Sequence, residues 1–191
     1  MPRAGLSPAV VAGTAADLAD EHGWDALTLA AVAVRLGVKV PSLYKHVASL
    51  EALRHAVAVE GAEGLADALT TATVGVSGAD ALARLCAAYR AYALEHPGRY
   101  AAAQRPGRDN PGADRTLTVV YAVLSGYGIA GEDAVDAARA VRAALHGFTA
   151  LETTGGFGLP RDVDRSFDAL AAGLALMLEH WSRRPGDDTA G

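Results

Sequence analysis

Residues 28–51 read TLAAVAVRLGVKVPSLYKHVASLE, and the pattern within them decides the fold. Thr28 is a good helix N-cap, because its hydroxyl can accept a hydrogen bond from an orphan N–H of the first turn. Leu29, Val32, Ala33 and Leu36 then recur at i, i+3, i+4 and i+7, which makes one buried helical stripe. Gly37 supplies the left-handed residue that ends this helix. Val38 anchors the turn, and Pro41 fits the first turn of a second helix, where its missing N–H costs nothing. That second helix presents Lys39, Ser42, Lys45 and His46 outward, while Leu43 and Val47, at i and i+4, point in. Helix, glycine turn and short polar-faced helix make a helix-turn-helix.

Charge placement agrees. Lys39 and Lys45 are the only two lysines in the chain. Between Ala26 and Leu50 there is no carboxylate, against Arg35, Lys39, Lys45 and the titratable His46. Duplex DNA carries about one charge per 1.7 Å of axis, so an acid-free insertion helix is what the phosphates require. A solvated basic face on an ordinary helical hairpin would look the same, so these residues alone leave both readings open.

The wider composition narrows the class. A chain of 191 residues holds one large domain, or a small one and a larger one. Hydrophobic residues make up 51%. Many of them are alanine, which favours helices and lets them approach closely. Aromatics are few and β-branched runs short, so the expectation is all-α. The net charge of −5 opposes indiscriminate nucleic-acid binding, so a DNA binder of this balance must concentrate its positive charge locally. The single cysteine, Cys86, excludes an internal disulfide and suits a reducing compartment. No signal pattern or apolar run of transmembrane length is evident. The expected location is cytoplasmic, without membrane contact.

Working outward, Ser7-Pro8 reads as a cap and first-turn proline, Val11, Ala15 and Leu18 as a stripe, and Gly23 as a stop. Trp24 and Leu27 follow as apolar plugs. Ser49 caps a fourth helix expected to run to about Leu69 and to join the two domains rigidly, with a loop over Thr70 to Gly78. Further helices are expected over Asp80 to Glu95, Arg99 to Gln104, Asp114 to Ser125, Glu132 to Glu152 and Val163 to Trp181, about nine in all. The loop Arg105 to Gly112 and the tail from Arg183 are polar. The expected division is a DNA-binding domain over 1–50, an effector-binding and dimerisation domain over 51–182, and a tail over 183–191.

Catalytic and metal signals are weak. Gly126-Tyr127-Gly128-Ile129-Ala130-Gly131 matches GxGxxG, but a dinucleotide turn needs a strand before it and a second parallel strand beyond. No candidate strand follows the eighth helix, so the glycines read as a helix stop and start. Gly155-Gly156-Phe157-Gly158 lacks the Lys-Ser/Thr of a phosphate loop. The six histidines show no i, i+4 pair, which argues against a metal site. No nucleophile with a neighbouring base is legible, so no catalytic residue and no cofactor are expected. Cys86 reads as a small buried apolar group. Tyr89, Tyr92, Tyr121, Tyr127 and Phe148 read as core, or as the wall of a ligand cavity between helices. In the second reading Cys86, Tyr89, Tyr121 and Phe148 line the cavity, and Arg90 and His146 anchor the ligand.

The run GWDALTLAAVAVRLGVKVPSLYKHVASLEALRHAV resembles the N-terminal domain of TetR/AcrR-family bacterial transcriptional regulators. The likeness covers about the first sixty residues and rests on Leu36-Gly37-Val38, Ser42-Leu43-Tyr44, His46-Val47 and Leu53. It implies that Thr28 contacts phosphate, that Lys39, Val40, Pro41 and Ser42 face the major groove, and that Tyr44, Lys45 and His46 hold the DNA backbone. The chain departs from the pattern at Ala30 and Ala31, where relatives often place a polar contact, and at Leu50, where a lysine is common. YRAYALEHPGRY (89–100) and ALHGFTALETTGGFGLP (144–160) resemble the C-terminal domain of the WHG-like TetR branch. That likeness implies a homodimer through the last two long helices. Ala134, Ala137, Ala138, Ala140, Ala143 and Ala144 would allow such close packing. The expected function is therefore a ligand-responsive repressor that binds a palindromic operator and a small-molecule effector. The alternatives are a helical sensor with weak DNA binding, prompted by Ala30, Ala31 and Leu50, and a GxGxxG cofactor enzyme.

Overall fold

The computed structural model describes residues 5–105 and 110–181. Among them nine α-helices and one 3-10 turn follow in order, and no strand occurs. The all-α expectation holds. Residues 106–109 of the expected polar loop, and the expected tail from Arg183, lie outside the described residues.

Local chemistry sets the ends of the helices. Helix α1 (Pro8–His22) starts where the Ser7 hydroxyl accepts from the Val10 N–H at 3.2 Å. It stops at Gly23, and a 3-10 turn, Trp24–Ala26, follows. Helix α2 (Leu29–Leu36) is capped by Thr28 and ends at Gly37, whose φ is +67°. Helix α3 spans only Val40–Leu43. Helix α4 (Leu50–Thr73) begins with the Ser49 hydroxyl accepting from the Ala52 N–H at 3.0 Å. It continues past Leu69 into the expected loop, and the Thr73 hydroxyl bonds back to the Leu69 carbonyl at 2.9 Å. Such back-bonding satisfies a polar side chain without leaving the helix.

Helix α5 is Gly78–Glu95, α6 is Pro97–Ala103 and α7 is Pro111–Ser125. Both α6 and α7 start earlier than the periodicity indicated, because each carries a proline in its first turn, where no N–H is required. Helix α8 is Gly131–Thr153, and α9 is Val163–Glu179 with Asp162 as its cap. The GxGxxG stretch is the connection between α7 and α8. Gly128 and Gly131 take φ of +74° and +61° there, which suits a helix stop and restart.

Two compact units emerge: the described residues of Met1–Ala66 with Glu95–Arg115, and those of Asp67–Leu94 with Thr116–Gly191. The core of the first is built from Val11, Ala15 and Leu18 of α1, Leu27, Val32 and Ala33, and Leu43, Leu53 and Val57. Ala102 of α6 completes it.

Helix α6 lies against α1 at backbone distance. A Cβ on Gly98 would collide with the backbone of Ala19 and Asp20, and one on Gly61 with the backbone of Arg99. Beside this contact the Arg99 side chain donates to Asp17 at 2.7 Å, to Glu60 at 3.3 Å and to Asp20. Its backbone N–H also donates to Asp20, at 2.8 Å. Burial opposes the Arg99 charge, but the hydrogen bonds to Asp17 and Asp20 outweigh it and lift the guanidinium pKa above its usual value.

In the second unit Leu82, Leu85, Cys86 and Tyr89 of α5, Val141 and Leu145 of α8, and Phe167, Leu174 and Leu178 of α9 are all buried. Arg90 ties three elements together. It donates to Glu152 of α8 at 2.7 and 2.5 Å and to Asp164 of α9 at 2.6 Å, and its guanidinium lies 4.9 Å from the Phe167 ring centroid. Burial pushes the Cys86 thiol up to about 12, so it stays protonated and inert.

Replacing Gly98 by alanine forces a backbone shift between α6 and α1 and should destabilise the protein by about 1–3 kcal/mol, the usual cost of overpacking. Gly13, which has open space around its Cβ position, should instead accept alanine and gain about 0.5–1 kcal/mol of helix stability. Melting midpoints that fall for Gly98→Ala and hold or rise for Gly13→Ala check both expectations.

Candidate nucleic-acid interface

The surface begins at the N-terminus of α2. The Thr28 hydroxyl accepts from the Ala31 N–H at 3.1 Å, which leaves its own O–H free to donate. A hydroxyl and the free N–H groups of a helix start converge there, an arrangement that suits an anionic oxygen. The turn follows. The Gly37 N–H donates to the Val34 carbonyl at 3.1 Å and the Val38 N–H to the Ala33 carbonyl at 3.0 Å. This closes α2 with a left-handed cap and turns the chain into α3.

Helix α3 is held from below. Leu43 is fully buried, Val40 and Val47 pack partly against the same core, and the Val47 N–H donates to the Leu43 carbonyl at 3.0 Å. With Leu43 fixed inward and Val40 leaning on the core, Pro41 and the flanking Lys39, Tyr44 and Lys45 face out. Thr28, Lys39, Pro41, Tyr44 and Lys45 are exposed, and Val40, Ser42 and His46 are half-buried. Tyr44 has 56% of its surface open, high for an aromatic side chain. All eight residues expected to touch DNA therefore belong to one short stretch around α3 and the start of α2, and none of them is buried.

Arg35 is a different matter. Its guanidinium makes a bidentate pair with Glu21 of α1, at 2.9 and 2.5 Å. The hydrogen bond to Arg35 holds the Glu21 carboxyl below the usual carboxylate range. The positive charge counted at Arg35 is thus met within the unit, and the outward charge rests on Lys39 and Lys45, with His46 beside them. Sequence reading missed Glu21 because it lies on another helix, 14 residues away. The sequence shows only an arginine in the last turn of a short helix, with no mark of its partner.

Arg54 is likewise engaged. Its guanidinium carbon lies 5.8 Å from the Trp24 ring centroid, and it donates to the Leu27 carbonyl at 3.4 Å. It fastens α4 to the turn ahead of α2.

Among the described residues no His, Cys, Asp and Glu side chains gather as a metal site, and no helix is long and apolar enough to cross a membrane. The residues expected to line an effector cavity are dispersed in burial. Cys86 and Tyr89 are buried, while Tyr121, His146 and Phe148 are half-buried. The Phe148 ring lies tilted against Phe157 and edge-on to Phe167, at 4.7 and 5.2 Å between centroids. Arg90 is already engaged by Glu152 and Asp164.

Residues 13–57, which contain this surface, match the family model described as bacterial regulatory proteins, tetR family. Residues 82–174 match that of the tetracyclin repressor-like C-terminal domain. The chain is 44% identical over 165 residues to the HTH-type transcriptional regulator Rv0681 of Mycobacterium tuberculosis, covering 83% of this chain and 73% of the relative. It belongs to the TetR family of bacterial transcriptional regulators. A second relative, the HTH-type regulator YobS of Bacillus subtilis, is 34% identical over 85% of this chain and 87% of its own. Among solved structures, a TetR variant of Acinetobacter baumannii AYE in complex with minocycline superposes with a TM-score of 0.68 at 26% identity, over 94% of this chain and 98% of its own. This TetR-family chain is therefore a DNA-binding transcriptional regulator, and its GxGxxG stretch joins two helices, α7 and α8.

Replacing Tyr44 or Lys45 by alanine should weaken binding to every duplex alike. For Lys45→Ala, the dependence of log affinity on log salt should flatten by about 0.9, the share of a single phosphate. Salt-titrated binding to a bound and an unrelated duplex checks this, and an unchanged slope for Lys45→Ala would remove Lys45 from the phosphate role.

Proposed function

We propose that the protein is a homodimeric, ligand-responsive repressor whose α3 enters the major groove of a palindromic operator. The observation that carries this reading is the outward ring of Lys39, Pro41, Tyr44 and Lys45 around an inward Leu43. Lys39, Val40, Pro41 and Ser42 face base edges. Thr28, Tyr44, Lys45 and His46 hold phosphates and so fix the register. The protein acts by binding alone, in the cytoplasm, with no cofactor and no metal.

Dimerisation is supported by how α8 and α9 divide their small residues. Ala134, Ala137 and Ala138 of α8 are buried within the unit, whereas Ala143, Gly147 and Leu151 are exposed. On α9, Ala169, Gly173 and Leu176 are exposed, opposite the buried Phe167, Leu174 and Leu178. Helices with one small-residue face already used and a second face open are suited to pack against copies of themselves. A two-fold dimer can place two recognition helices about 34–36 Å apart, one turn of DNA.

The effector reading places Cys86, Tyr89, Tyr121 and Phe148 as apolar walls and His146 as a polar anchor, with Arg90 alongside. The Arg90 charge is compensated by two carboxylates. An anionic effector would have to displace one of them, so a neutral ligand suits this wall better. To relieve repression the effector must bind the DNA-free conformation more tightly than the DNA-bound one. The solved relative that holds minocycline supports a ligand-bearing second unit.

Selection from randomised duplexes should return a palindrome. Lys39→Ala or Ser42→Ala should change the bases preferred within it, by about 1–3 kcal/mol for each base-edge interaction removed. An unaltered consensus would move these residues out of base readout. Leu176→Glu, which buries a charge in the proposed interface, should yield monomers in sedimentation and lose operator affinity, while helical content holds. A Leu176→Glu dimer would place the interface elsewhere.

A further inference from the structure

A groove of about 620 Å³ lies between α5 and α9 of the second unit. Its α5 wall is a ladder of Ala83, Ala87 and Ala91, each one helical turn from the next, and its α9 wall includes Ala171 and Ala175. Small side chains on both walls leave an apolar trough. This side of α5 lies away from the buried Cys86 and Tyr89 of the effector reading. On α9 it is a different face from Ala169, Gly173 and Leu176 of the dimer reading.

The charges on the groove are unbalanced. Its lining contains Asp80, Asp164 and Asp168 and one cation, Arg90. Arg90 is consumed by Asp164 and by Glu152, with contacts of 2.6 and 2.5 Å. Neither Asp80 nor Asp168 meets a cation among the described residues. Both are exposed on the rim. An apolar trough edged by two uncompensated carboxylates attracts an apolar body carrying positive charge and repels an anion of the same shape.

We propose that this groove is a binding site for an apolar organic cation, its hydrophobic body lying on the alanine walls and its charge held between Asp80 and Asp168. The site does not depend on the repressor reading, because it requires neither DNA nor an effector-driven change. It could equally serve a regulator whose effector binds elsewhere. Phe167 also lines the groove, its ring centroid 4.9 Å from the Arg90 guanidinium, whose own charge is met by Asp164 and Glu152.

The test is equilibrium dialysis of the full chain, without DNA, against tetraphenylphosphonium and its isosteric anion tetraphenylborate. The cation should bind at one per chain, more weakly as salt rises, and the anion should bind at least tenfold more weakly. Asp80→Asn with Asp168→Asn should lower cation affinity about tenfold, in keeping with two solvent-exposed charge contacts. Ala87→Trp should abolish it by filling the trough. Circular dichroism and melting of each variant must match the parent, and Ala83→Phe serves as the second filling variant if Ala87→Trp misfolds. Equal binding of the anion, or undiminished cation binding by the double aspartate variant, would overturn the proposal. So would the absence of cation binding, including the case in which a second copy covers the groove and Ala87→Trp dissociates a dimer.

Discussion

A helix of one turn cannot hold itself in place. Nucleating a first turn fixes several backbone angles for a single hydrogen bond, so isolated short helices are unstable in water. Helix α3, only Val40–Leu43, persists because Leu43 is sealed in a core supplied by α1, α2 and α4. The cap at Gly37 delivers the chain to that core at a fixed angle. Everything the regulator presents to DNA depends on this propping. The residues proposed to read or grip the duplex are outward because one leucine is inward.

The anatomy of this region was legible in the sequence because it is local. Thr28, Ser7 and Ser49 act through their hydroxyls and Gly37 through its left-handed backbone, each on its own helix end within three or four residues, as the sequence indicated. The apolar stripes of α1 and α2 are likewise set by helical periodicity alone. The part that escaped is what joins distant segments: Glu21 with Arg35, Arg99 with Asp17, Asp20 and Glu60, and Arg90 with Glu152 and Asp164. An ion pair across 62 or 79 residues leaves no periodic mark. The early start of α6 was missed for a related reason. The expected helix began only at Arg99, yet Gly98 serves a close approach that only the packing reveals.

Alanine shows the same divide between pattern and partner. A run of small residues along α8 announces close packing but not with whom. Ala134, Ala137 and Ala138 turn out to serve the unit's own interior, and Ala143 remains at the surface. The alanines of α5 divide again, Ala81 and Ala93 inward and Ala83, Ala87 and Ala91 along a trough. Periodicity places each residue on a face. Only the assembled neighbours decide whether that face is interior, boundary or opening.

The compact unit that holds the helix-turn-helix also claims α6, and the chain passes between units at 66/67, 94/95 and 115/116, each time inside a helix. Modular exchange is therefore constrained. A chimera that grafts only the first sixty-six residues onto another regulator leaves behind Ala102 and the whole Gly98–Arg99 seat on α1. The donor head would arrive with bare backbone at Ala19 and three acids deprived of their guanidinium. New operator specificities should be transplanted by changing the surface of α3 in place, or by moving residues 95–115 together with the head.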